Sequence, residues 1–128
     1  MQIALYIASL LCVSVGIAHS VLGEKYILIR LFRRDNLPKL FGGQEFTVNT
    51  IRFAWHITTV AWWGFAAILI LLAETKLTPQ NVSIVIAATF LITAFITVLA
   101  SRGRHLAWPV FLIIGGIAAI FSCTQMQL

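Results

Sequence analysis

The chain alternates long apolar runs with short polar breaks. Apolar residues fill about 3–22, 48–73, 82–100 and 106–122, each near the roughly 20 residues that cross a hydrocarbon core. Backbone groups in lipid must be satisfied within their own segment, so runs of this length predict helices rather than strands. The expected fold is all-α: a four-helix transmembrane bundle in one domain, residues 1–128, with the shortest helix last.

The polar breaks are unequal. Between the first two runs lies "EKYILIRLFRRDNLPKLFGGQEFTVN", in which Ile27, Leu28, Leu31 and Phe32 share one helical face and Lys25, Arg33 and Arg34 turn towards the other. This pattern predicts a short amphipathic helix lying in the headgroup region, ended by "NLP" and followed by a glycine turn at 42 and 43. The second break, "ETKLTPQN", is tight, with Thr78 placed to cap the third helix and Pro79 at its first position. Pro109 removes an amide near the start of the fourth helix, predicting a kink or a free His105 carbonyl.

Composition agrees with the pattern. Hydrophobic residues make up 60% and charged residues 10% of the 128, and mean hydropathy is +0.97, far from an ordinary water-soluble domain. The first run ends near the small residues of "GIAHS", as a cleaved leader would. It lacks a basic stretch before it and exceeds a leader's apolar core, so it is read as the first span. Cys12 and Cys123 fall at different depths in their helices, too far apart to bridge.

Charge sets the orientation. Lys25, Arg30, Arg33, Arg34, Lys39, Arg52, Arg102 and Arg104 gather at one face, leaving Lys76 at the other. The positive-inside rule makes the basic face cytoplasmic and puts both termini outside. Topogenic charge accounts for the net +5, so no nucleic-acid partner is needed; the bilayer is the expected partner, with an oligomer or larger membrane complex beside it.

Candidate chemistry lies at that same basic face. His19 ends span one with Glu24 just beyond, Arg52 and His56 open span two, and "SRGRHLAWP" brings Arg102, Arg104 and His105 to the start of span four. Asn49, Arg52, His56, Thr59 and Trp63 form one helical stripe, and Ser9, Cys12, Gly16, His19 and Gly23 another whose small residues invite close packing. Thr89, Thr93, Thr97 and Ser101 make a ridge suited to packing and to bonding their own helix's carbonyls.

Two readings of these groups compete. Interfacial histidines can simply bond to water, headgroups or loop carbonyls, and Arg52 and Arg104 can snorkel. Alternatively, His19, Glu24, His56 and His105 converge as metal ligands, a donor set suited to zinc or iron and also able to take copper, in a site with redox capacity. A haem b reading uses two histidines as axial ligands, with Arg52, Arg102 or Arg104 on the propionates. A third reading is a non-enzymatic accessory or structural subunit. Glu24 lies about 140° around the helix from His19, so it meets that residue's partners only if the helix ends or bends near Gly23.

The stretches "HSVLGE", "IRFAWHITTVAWW" and "GRHLAWPVFLIIG" resemble a family of small bacterial four-span membrane proteins. The resemblance implies a multi-pass protein of the bacterial inner membrane. It also implies a common site drawn from the blocks that carry His19, Glu24, Arg52, His56 and His105.

Overall fold

The computed structural model describes residues 1–41 and 43–125, so one of the two turn glycines, Gly42, lies outside the described residues. Among the described residues four helices are long and apolar enough to cross a membrane: α1 (Gln2–Leu31), α2 (Gln44–Ala73), α3 (Pro79–Ser101) and α4 (Ala107–Thr124). The protein is an all-α, multi-pass membrane bundle. At 1.5 Å per residue α1 and α2 are each about 45 Å long, so they tilt or project beyond a core of roughly 30 Å.

The segment after residue 22 is helical but does not form a separate element. It continues α1 as a π-helical stretch, Gly23–Leu28, and a last α-turn, Ile29–Leu31. Glycine at 23 weakens a helix in isolation, but here it is buried against Trp55 of α2, and that packing holds the rod together.

Helix ends follow local chemistry. The Thr78 hydroxyl accepts from the Asn81 amide at 3.1 Å and Pro79 opens α3, as the sequence predicts. Between α3 and α4 the chain turns through two left-handed residues, Arg102 (φ 50°) and Gly103 (φ 75°), and the Gly103 amide bonds back to the Val98 carbonyl at 3.0 Å. Helix α4 begins at Ala107, so Pro109 falls in its first turn, where an amide needs no intrahelical partner and no kink is required.

Each helix packs on its neighbours in chain order: α1 on α2, α2 on α3, α3 on α4. The contacts are made by small residues. Ala66, Ala73, Ala87 and Ala94 are buried with Ser9, Thr59, Thr93 and Thr97, while Phe65, Phe95, Ile117 and Ile120 face outwards. In lipid an outward Phe or Ile loses nothing, and close backbone approach supplies the packing. The α3 ridge is occupied as expected: Thr93, Thr97 and Ser101 donate to the carbonyls of Thr89, Thr93 and Thr97 at 2.8, 2.8 and 2.6 Å.

Candidate functional site: a polar seam between α1 and α2

The two stripes read from the sequence meet in part: Thr59 and Trp63 lie against Gly16, while Asn49 lies beside Arg102 and Arg104. Helices α1 and α2 run antiparallel in close contact, joined along their length by hydrogen bonds in constant register. Ser9 donates to the Ala66 carbonyl at 3.0 Å, the Trp63 indole to the Val13 carbonyl at 3.4 Å, and Thr59 to the Gly16 carbonyl at 3.0 Å. At one end the Tyr6 hydroxyl donates to Glu74. Glu74 lies just past α2, and the Tyr6 hydroxyl, followed by Lys76, holds its carboxyl below the usual range. At the other end lies the ionisable cluster.

That cluster is a chain. Arg52 Nη2 is 3.1 Å from Glu24 Oε1, and Glu24 Oε2 is 3.3 Å from His56 Nε2. His56 Nδ1 is 2.9 Å from Ser20 Oγ, which is 2.8 Å from Thr59 Oγ1, whose proton goes to Gly16. The Arg52 guanidinium also lies over the Phe32 ring, 4.9 Å from its centre.

Glu24 reaches His56 without any break in α1. Counted from Ser20 rather than His19, Glu24 is four residues on, so Gly16, Ser20 and Glu24 share one helical line towards α2. Gly23 is the complementary feature. Its missing side chain admits the Trp55 indole, which donates to the His19 carbonyl at 3.0 Å. The wider π-turn starts there, with the Ile29 amide bonding back to the Glu24 carbonyl.

Proton counting constrains the chain. Four hydrogen bonds run from the Glu24 carboxylate to the Gly16 carbonyl, both pure acceptors. Thr59 supplies one proton and Ser20 one. With the Arg52 guanidinium paired to the carboxylate, the other two belong to the His56 imidazole. All four bonds therefore coexist when both ring nitrogens carry protons.

The three histidines do not share this cluster. His19 stacks on Trp55, with ring centres 4.4 Å apart and 5° between planes, and its Nε2 lies 2.9 Å from Thr58 Oγ1. His105 stacks on Phe46 and meets Phe53 edge-on, at 5.8 and 4.9 Å between centres, while its Nδ1 accepts from the Ala107 amide at 3.1 Å. It fastens the start of α4 to α2. Arg104 is exposed, beside Glu45, Asn49 and Arg102, away from Glu24. Arg102 pairs with Glu45 at 3.4 Å. Among the described residues no three His, Cys, Asp or Glu side chains are grouped to hold a metal ion.

Sequence reasoning passed over Ser20 and Thr58. Each adjoins a residue that it singled out, and Ser20 was legible as the point midway between Gly16 and Glu24. Comparison with family descriptions, with characterised proteins and with solved structures finds no match for the chain.

Proposed function

We infer that the protein is a non-enzymatic accessory subunit of a bacterial inner membrane. Its α1–α2 pair is a rigid, charge-bearing unit, and the remaining helix faces meet lipid or a larger complex. One observation carries this reading: the carboxylate, imidazole and hydroxyl groups of the cluster are already engaged with one another, and of its atoms only Arg52 Nε is buried without a partner among the described residues. Both Glu24 oxygens, both His56 nitrogens, Ser20 and Thr59 have protein partners within 3.3 Å. A network satisfied in this way specifies a helix pairing.

The metal reading finds one favourable feature in the 3.3 Å between His56 Nε2 and Glu24 Oε2. Two ligands on one ion, each about 2.0–2.2 Å from it, stand at a similar separation. The remaining donors do not fit. An ion there would compete with the Arg52 guanidinium for the same carboxylate, and neither His19 nor His105 adds a third ligand. A haem held by two imidazoles fits no better: His56 uses both nitrogens in the seam, and His105 spends the lone pair of Nδ1 on the Ala107 amide, which leaves the ring proton on Nε2.

Metal analysis and a visible spectrum of the purified protein test the inference. The expected result is no Soret band and metal well below one per chain. Stoichiometric metal or haem that is lost in His56→Ala would overturn it.

A further inference from the structure

The seam leaves one imidazole nitrogen unused. The Thr58 hydroxyl donates its single proton to the Trp55 carbonyl at 2.6 Å. His19 Nε2 therefore faces two oxygen acceptors, Thr58 Oγ1 at 2.9 Å and the Trp55 carbonyl at 3.2 Å. An acceptor pair of this kind puts a proton on Nε2, so in the neutral ring Nδ1 carries the lone pair. Nδ1 has no protein partner among the described residues and is not enclosed.

His19 lines an open groove of about 450 Å³ on the flank of the α1–α2 pair, within the range of ligand pockets of roughly 300–1,000 Å³. Trp55, Trp62 and Tyr26 line it with Ala18 and Leu22. The groove runs from Val15 past the Glu24 level to Ile27, and His19 stands about 7 Å inside that level, taking five residues at 1.5 Å each, at the depth of the interfacial aromatic belt. Flat aromatic walls suit a flat ring, and a lone pair facing hydrocarbon needs a hydroxyl donor. Anionic phosphate is disfavoured because Nδ1 offers it no proton.

We propose that this groove binds the ring of a membrane hydroquinone, with one ring hydroxyl donating to His19 Nδ1. This goes beyond the accessory reading and stands independently of it. The site discriminates redox states, since a quinone carries carbonyl acceptors in place of the donor. One net hydrogen bond makes the quinol bind roughly three- to tenfold more tightly than the quinone.

The test uses the full chain in phosphatidylcholine nanodiscs near pH 8, with decylubiquinol kept reduced under argon, and measures ligand retained over empty discs. Saturable binding near one per chain, weaker for decylubiquinone, is expected. His19→Phe, which keeps a ring on Trp55, should bring quinol down to the quinone's affinity. Ala18→Trp, an exposed position that can fill the groove without touching the seam, should lower binding of both. Retention equal to empty discs, no preference for quinol, or a preference that survives His19→Phe overturns the proposal. So does displacement of the quinol by phosphatidylglycerol, which would assign the groove to lipid hydroxyls.

Discussion

Trp55 occupies the space that a side chain at Gly23 would need. A Cβ built there would meet Trp55 Nε1 at 2.2 Å and two further indole carbons at 2.4 and 2.6 Å. Gly23→Ala must therefore push α2 away or expel the indole, breaking its bond to the His19 carbonyl. The expected cost is about 1–3 kcal/mol, read as a lower unfolding midpoint in detergent. Gly116→Ala, with nothing within 4 Å of the added carbon, is the control and should be close to neutral. Equal behaviour of the two variants would refute the packing role of Gly23.

At the other side of the same turn, Glu24 serves two partners, Arg52 and His56, so the order of single-variant effects is fixed. Glu24→Gln leaves one acceptor oxygen for Arg52 and His56 together, and Arg52→Gln leaves the His56 bond intact. The glutamate variant should lose more stability. In a double-mutant cycle Glu24 and Arg52 should couple by about 0.5–1 kcal/mol, a modest value because their side chains are 31% and 42% exposed. A coupling of zero would show the pair to be incidental.

How much of this was legible follows from which forces act locally. Four helices, the Thr78 cap and the threonine ridge could be read because lipid imposes helix on any long apolar run and capping is decided within four residues. Arg52, His56 and Thr59 could be placed on one face by the 3.6 period alone. The partner of each face could not. The period does not say which helix a stripe meets, so His105, on the same membrane face as His56, was grouped with it, although its ring belongs to the Phe46 and Phe53 contact. The continuity of α1 through Gly23 was hidden for the same reason, since the compensating group, Trp55, lies 32 positions along the chain.

Orientation rests on the basic residues at the His56 end. Cysteine labelling in intact cells should find residues 33–39 protected and residue 76 reactive from outside if that end is cytoplasmic. The opposite labelling pattern would invert the topology while leaving the seam unchanged.

The Tyr6–Glu74 bond predicts an acid-sensitive tie at the far end of the seam. Its hydrogen bond to Tyr6, then Lys76, holds the Glu74 carboxyl below its ordinary range of about 4.3. A carboxyl lowered in the folded state stabilises fully above its unfolded value, and the contribution fades as pH falls through the folded one. Tyr6→Phe should thus be less stable than the parent at pH 7, and the two should converge as pH falls well below the ordinary carboxylate range. A difference that persists undiminished through that acid range would assign the effect of Tyr6 to packing.

The proton count of the seam gives the sharpest test of its central residue. With Thr59 committed to Gly16 and Ser20 to Thr59, His56 must donate from both nitrogens for every bond to be made. Thr59→Val keeps the shape of the side chain but removes its hydroxyl. Ser20 is then free to give its proton to His56 Nδ1, and a neutral imidazole, donating only to Glu24, satisfies every bond that remains. A double-mutant cycle on Thr59→Val and Ser20→Ala, read as unfolding midpoints in detergent, separates a hydrogen-bonded chain from packing. Each single variant should lower stability, and the two should couple by about 0.5–1.5 kcal/mol, because either one already breaks the run from His56 to Gly16. Additive effects would show that the hydroxyls only pack the helices and that the chain from Glu24 to Gly16 is not one hydrogen-bonded unit.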